Sequence, residues 1–132
     1  MRPIKFRGKR LDNGMWAYGL YLQGGYIPGA NKENVKVRHI ISDDFYYDVD
    51  PATIGQFTGL TDKNGKEIYE GDIVRHYDNG KHYVIVYDAP EFCYQDNEDG
   101  FRFLNHPEMC EVVGNVHDNS ELLTHGNDKP ER

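Results

Sequence analysis

Long runs rich in Ala, Leu, Glu and Lys, the raw material of helices, are missing from this 132-residue chain. That argues against a helical bundle and for strands and turns. No apolar run approaches the roughly 18 residues of a membrane span, and no charged-then-apolar leader opens the chain. Both absences point to the cytoplasm. Cysteine is scarce, with only Cys93 and Cys110. They lack CxxC spacing and zinc-finger partners, so two free thiols in a reducing compartment are expected. There is no GxxxxGK[ST] and no GxGxxG, so a phosphate-binding loop has no support and no cofactor is expected.

What is present is aromatic and turn-rich. Aromatics make up 13% of the residues, ten of them Tyr, and there are 14 glycines. A chain of this length can bury a core without metal or disulfide, as one domain or as two small barrels sharing an interface. Lys and Arg number 15 against 22 Asp and Glu, a net charge of −7. The distribution is uneven. Arg2, Lys5, Arg7, Lys9 and Arg10 fall in the first ten residues with no acid among them, which leaves ten positive charges against 22 negative, a balance of −12, for the rest. An acidic body repels nucleic acid, while a basic start can meet an acidic partner or a neighbouring subunit.

Short alternating segments punctuated by turns run along the chain. Ile4 and Phe6 alternate with Lys5 and Arg7, which predicts a strand with Ile4 and Phe6 inward and the cations solvated. Asn13-Gly14 predicts a hairpin turn, with Met15 to Leu22 as the return strand. Tyr26-Ile27 reads as a short extended piece and Val35 to Ile41 as a strand. Ile54 to Phe57 reads as the next. Asn64-Gly65 makes a second hairpin-type turn, and Glu70-Gly71-Asp72 turns the chain into a strand at Ile73. Asn79-Gly80 predicts a two-residue hairpin loop, with Asp78 facing Lys81, His76 facing Tyr83 and Arg75 facing Val84. Further strands are expected over 82–88, 101–104 and 111–116. Asn119 is an N-cap candidate for one helical turn carrying Leu122 and Leu123.

The count and spacing of these strands predict an all-β fold. A hairpin region over residues 1–50 would pack on a small C-terminal barrel over 51–123, with an SH3-like form as its model. A disordered tail would follow over 124–132. The barrel core would draw on Ile54, Phe57, Ile68, Ile73, Val84, Val86, Phe101, Phe103, Val112 and Val116.

The stretch Asp50-Pro-Ala-Thr-Ile-Gly-Gln-Phe-Thr-Gly-Leu-Thr-Asp-Lys-Asn-Gly-Lys-Glu-Ile-Tyr-Glu-Gly-Asp-Ile-Val74 resembles the signature of the YopX-like family of phage and prophage proteins. The opening Ile4-Lys-Phe-Arg-Gly8 and the closing Val113-Gly-Asn-Val-His-Asp-Asn-Ser-Glu-Leu-Leu123 are similar to that family's ends. Ser120 departs from the Pro expected there. The resemblance implies an all-β phage or prophage protein in which self-association is plausible. It implies no activity and transfers no catalytic residue.

Four chemical readings fail on the sequence. A calcium loop counted from Asp62 puts Lys66, Glu67 and Ile73 where ligands or glycine are needed. Glu67, Glu70 and Asp72 have no spacing that makes them converge as an acid/base pair. The hairpin sends His76 and His82 to opposite sides of the sheet, so they cannot share a metal. Cys110 has His106 and His117 nearby in sequence but no nucleophile signature.

The expected function is therefore that of a non-enzymatic accessory protein working by binding, as a homo-oligomer, in the cytoplasm of a host cell. Two alternatives stand beside it. One is a nucleic-acid-associated protein using the basic start, with Arg2, Lys5, Arg7, Lys9, Arg10 and Trp16 as partner-binding residues. On an alternating strand the same cations are simply a solvated face. The other is an acidic mimic that occupies a host nucleic-acid-binding protein.

Overall fold

The computed structural model describes residues 4–24, 38–42, 45–77, 80–88, 91–96, 100–103 and 107–123. Eleven strands appear among them, all paired antiparallel, with two short 3-10 turns and one helical turn at 121–123. The protein is thus nearly all β. The expected piece at Tyr26-Ile27, the start of the Val35 strand, Asp78 and the tail over 124–132 lie outside the described residues. The chain divides into two compact units, one over Pro3–Gln56 and one built from Phe57 onward.

In the first unit, β1 (Phe6–Lys9) pairs with β2 (Trp16–Gly24), β2 with β3 (Arg38–Ser42) and β3 with β4 (Tyr46–Asp48). The chain then returns to its beginning. Val49 bridges Arg10, Leu11 N–H donates to the Asp48 carbonyl at 2.9 Å and Asp50 N–H donates to the Lys9 carbonyl at 2.8 Å. On its other side Val49 N–H donates to the His39 carbonyl at 3.0 Å. The four strands therefore close into a ring at this end. Pro51–Thr53 form a 3-10 turn, capped by the Asp50 carboxylate on Ala52 N–H at 3.0 Å. The chain resumes along β1 at Gly55 and Gln56, the first residues of β5 (Gly55–Thr61).

The inner face of the ring holds Ala17, Ile41 and Val49, with Phe6, Tyr21, Tyr47 and Ile54 packed on them. Ile54 thus serves this core rather than that of the second unit, where it was expected. Gly8 sits against Val49, whose side-chain carbons would stand 3.1 Å from an added Cβ, so close packing accounts for a glycine in mid-strand.

The second unit contains the rest of β5 with β6 (Glu67–Tyr69), and a five-stranded sheet in the order β10-β9-β8-β7-β11. These strands are β7 (Asp72–His76), β8 (His82–Asp88), β9 (Glu91–Asp96), β10 (Gly100–Phe103) and β11 (Cys110–Asn115). The core is Ile68, Val74, Tyr83, Ile85, Tyr94 and Cys110, with Val112 packed against it. The expected Val84 and Val86 are only half-buried. Tyr83 and Ile85, on the other face of the same strand, take the core positions because Tyr83 stands opposite Val74. Phe57, Ile68 and Ile73 are buried as expected, Val116 is half-buried, and the side chains of Phe101 and Phe103 lie outside the described ones.

The β7–β8 loop is longer than its Asn-Gly pair predicted. Arg75 pairs with His82 and Val74 with Tyr83. His76 N–H donates to the Lys81 carbonyl at 3.0 Å, and Gly80 N–H donates back to the His76 carbonyl at 2.7 Å. The loop is four residues, with Gly80 at φ 70° in its last place. Leu11–Gly14 is built alike: Arg10 N–H to Met15, Gly14 N–H to Arg10, and Gly14 at φ 73°. One left-handed glycine at the loop's end, rather than a two-residue turn, closes both hairpins. The register moves by two residues, an even shift. His76 and His82 therefore still stand on opposite faces.

Candidate functional site

Two places in the molecule invite a functional reading: the patterned segment from Thr58 to Val74 and the outer face of the β1–β4 ring.

The first is rich in buried polar groups, and each serves the backbone. β5 and β6 slip register between Phe57 and Thr61, around Gly59 at φ 88°. The Thr58 hydroxyl repairs the gap, donating to the Ile68 carbonyl at 2.8 Å and accepting from Leu60 N–H at 3.1 Å. Asp62 is 5% exposed. One carboxylate oxygen accepts from Asn64 and Lys66 N–H at 2.8 and 2.9 Å, which shapes the Asn64-Gly65 loop. The other accepts from Val112 N–H of β11 at 2.8 Å, across 50 residues of sequence. Lys63 N–H adds a bond to the Cys110 carbonyl at 3.1 Å. The loop so covers an edge of β11 that would otherwise present open backbone groups. Burial alone would push the Asp62 carboxyl up, but the N–H groups of Val112, Lys66 and Asn64 together hold it below the ordinary carboxylate range. Asp72 accepts from Tyr69 N–H at 2.7 Å, while Gly71 turns at φ 93°. This segment holds strands together.

Cys110 has a different neighbour from those its sequence suggested. His76 stands opposite it across β7 and β11, and His106 lies outside the described residues. The thiol is fully buried, with the Tyr94 hydroxyl donating to Sγ at 3.9 Å and Sγ donating to the Pro107 carbonyl at 3.3 Å. Burial pushes it up to about 11, which keeps it a protonated thiol at neutral pH. The same burial raises the Tyr94 phenol. His76 packs edge-on against Tyr83 and Tyr94, with centroids at 6.3 and 5.7 Å. Cys93 is also free and buried. Among the described residues no three His, Cys, Asp or Glu side chains gather as metal ligands.

The second place is apolar where the first is polar. Strand alternation puts Tyr18, Leu20 and Leu22 of β2 opposite the core side chains, and the register sets Ile40 beside Leu22 and Ser42 beside Leu20, with Tyr46 beyond Ser42. Leu20 is 57% exposed and Tyr46 72%, with Tyr18 and Leu22 near half. On the β1 side of this face, Arg7 pairs with Tyr18 and Lys9 with Trp16. The Arg7 guanidinium lies 4.6 Å from the Trp16 ring centre and the Lys9 ammonium 5.7 Å.

Of the sequence-predicted partner residues, Lys5, Arg7, Lys9 and Trp16 share this face. Arg7 is 6% exposed, not solvated as the alternation implied. Its guanidinium is stacked on Trp16 and its strand is paired on both sides, by β2 and by β5. Ile4, expected inward, is 68% exposed because the strand begins only at Phe6. Arg10 points elsewhere. It forms a two-pronged pair with Asp12 at 2.9 and 2.6 Å and lies 4.1 Å over Tyr47. Arg2 lies outside the described residues. Tyr18-x-Leu20-x-Leu22 carries a period-two signal in the sequence, but alternation alone does not tell which of its faces the register leaves exposed.

Comparison with known proteins agrees with the family resemblance. The solved structure of protein EF1440 from Enterococcus faecalis is similar, with a TM-score of 0.54 and 26% identity over 93% of this chain and 99% of that one. No curated protein matches. The family described as YopX protein matches residues 5–124, nearly the whole length. The chain belongs to the YopX family.

Proposed function

We propose that the protein is a non-enzymatic accessory protein of a phage or prophage, working in the host cytoplasm by binding, and that it does so as a homo-oligomer. The observation that carries this reading is the outer face of the ring. The first unit's core lies on the inner face, so Tyr18, Leu20, Leu22 and Tyr46 serve no core of that ring. Contiguous exposed apolar side chains on a folded unit mark an interaction surface. The polar residues that might have suggested chemistry support the same reading, since Asp62 and Asp72 hold backbone N–H groups and Cys110 is a buried neutral thiol.

The nucleic-acid alternative draws on Lys5, Lys9 and Trp16. Its support narrows because Arg7 is buried and Arg10 is engaged with Asp12. Light scattering across micromolar concentrations tests the proposal. A mass above that of one 15.3 kDa chain is expected, and a monomer throughout overturns the homo-oligomer. Binding to single-stranded DNA that weakens steeply with salt would favour the alternative instead.

A further inference from the structure

We propose that Asn64 is a site of spontaneous deamidation and that Asp62 holds it closed in the folded protein. In this reaction the Gly65 backbone nitrogen gives up its proton to solvent base and attacks Asn64 Cγ. The new N–Cγ bond closes a succinimide ring as the Cγ–Nδ2 bond breaks, and the amide nitrogen takes up a proton and leaves as ammonia. Water then opens the ring at either carbonyl. One opening gives aspartate; the other gives isoaspartate, with the main chain routed through the side chain. Water is the only co-reactant. Glycine leaves the attacking nitrogen unhindered because it has no Cβ. Asn64 and Gly65 are exposed, so solvent base reaches them, and the Asn64 side chain makes no hydrogen bond among the described residues.

The wiring of the loop holds the reaction back. Gly65 N–H donates to the Asp62 carbonyl at 2.9 Å, so removing its proton also breaks that bond. Asp62 Oδ1 accepts from Asn64 and Lys66 N–H at 2.8 and 2.9 Å, which pins the chain on both sides of the reacting peptide. Closing the ring bends that peptide out of plane, so it needs the loop to open first. Asn13-Gly14 is the internal comparison. Gly14 N–H is likewise engaged, by the Arg10 carbonyl at 2.9 Å, but Met15 N–H is held at 2.9 Å by the Asn13 side chain itself. Conversion at Asn64 also acts on the fold. Isoaspartate lengthens the main chain between residues 64 and 65, so Gly65 and Lys66 N–H no longer meet their two Asp62 acceptors together. The other Asp62 oxygen holds Val112 N–H at 2.8 Å, so the modification loosens the cover on the edge of β11, and it does so irreversibly.

The test incubates the full chain at mildly alkaline pH and reads Asn64 and Asn13 in the same sample, by peptide mapping with mass spectrometry and isoaspartate detection. Unfolding the wild type in urea should speed conversion at Asn64 by a larger factor than at Asn13. Asp62→Ala, with its fold checked by circular dichroism, should speed conversion at Asn64 severalfold and leave Asn13 unchanged. The isoaspartate form, separated by ion exchange, should exchange the Val112 amide hydrogen faster than the parent. An Asn64 that stays intact even in urea overturns the site. Equal factors at the two asparagines, in urea or in folded Asp62→Ala, overturn the role of Asp62. Should Asp62→Ala fail to fold, the comparison in urea decides alone.

Discussion

The loop at Asp62 and the stripe on β2 are opposites. One buries carboxylate and hydroxyl groups in the second unit; the other exposes leucine and tyrosine in the first. Buried polar groups are stable only when fully bonded, and those of the Thr58–Val74 segment have their partners in the backbone. Their dense pattern is what a set of register slips, loop closures and edge covers demands. Exposed apolar groups have no such internal account. In this molecule the segment most distinctive in sequence is architectural, and the exposed apolar stripe carries only a plain alternation.

The contrast breaks most sharply at Asp62. Asp62→Ala leaves the N–H groups of Asn64, Lys66 and Val112 without their acceptor, and a loss of about 2–4 kcal/mol in chemical denaturation is expected. A variant as stable as the wild type would mean that the polar segment is not the structural half of the pair. The same residue gives the fold an acid limb. Its folded value lies below its unfolded one, so its contribution is present above the unfolded value and is lost as pH falls through the folded value. Asp62→Asn should flatten that limb.

Gly114→Ala comes next. An added Cβ would stand 2.6 Å from Asn119 Oδ1 and 2.8 Å from Asn119 Cβ, so the whole side chain must move and release Asn115 N–H, which it holds at 3.1 Å. The expected loss is about 1–3 kcal/mol. Cys110 sharpens the comparison from the alkaline side. Its folded value, about 11, lies above the ordinary 9.0, so the unfolded chain ionises first. Stability from this group is present below pH 9 and is lost as pH rises toward 11, a limb that Cys110→Ala should shorten. The smallest effect on stability belongs to the stripe. Leu20→Lys should move the melting free energy by less than about 0.5 kcal/mol while changing the mass in solution. A large loss of stability would show that the stripe belongs to a core after all.

Much of this was legible because strand alternation and turn chemistry are local. The sequence exposed the all-β class, the family segment and the hairpins at Asn13-Gly14, Asn64-Gly65 and Asn79-Gly80. Loop length was not legible, because one left-handed glycine serves a two-residue and a four-residue loop equally well. The parity of His76 and His82 survived that error because the shift was even. The burial of Arg7 and the choice of Tyr83 and Ile85 over Val84 and Val86 were hidden for another reason. They depend on which strand lies alongside, and pairings such as β1 with β5 or β7 with β11 join residues far apart in the chain. Asn119 illustrates the same limit. Placed as a helix cap, its side chain turns back to Asn115 instead, so its role depends on the bulge between Val112 and Gly114.

The bridge from Arg10 to Val49 bears on the order in which the first unit can fold. The last residues of β1 take their partners on that side from Val49 and Asp50, some forty positions later in the chain. Contacts of such long sequence span are slow to form, because the intervening chain must first be gathered in. The local β1–β2 pairing can form before that edge of β1 is closed. Sealing of the ring therefore has a longer span of chain to gather than the β1–β2 hairpin, whose partners lie within about a dozen residues of each other.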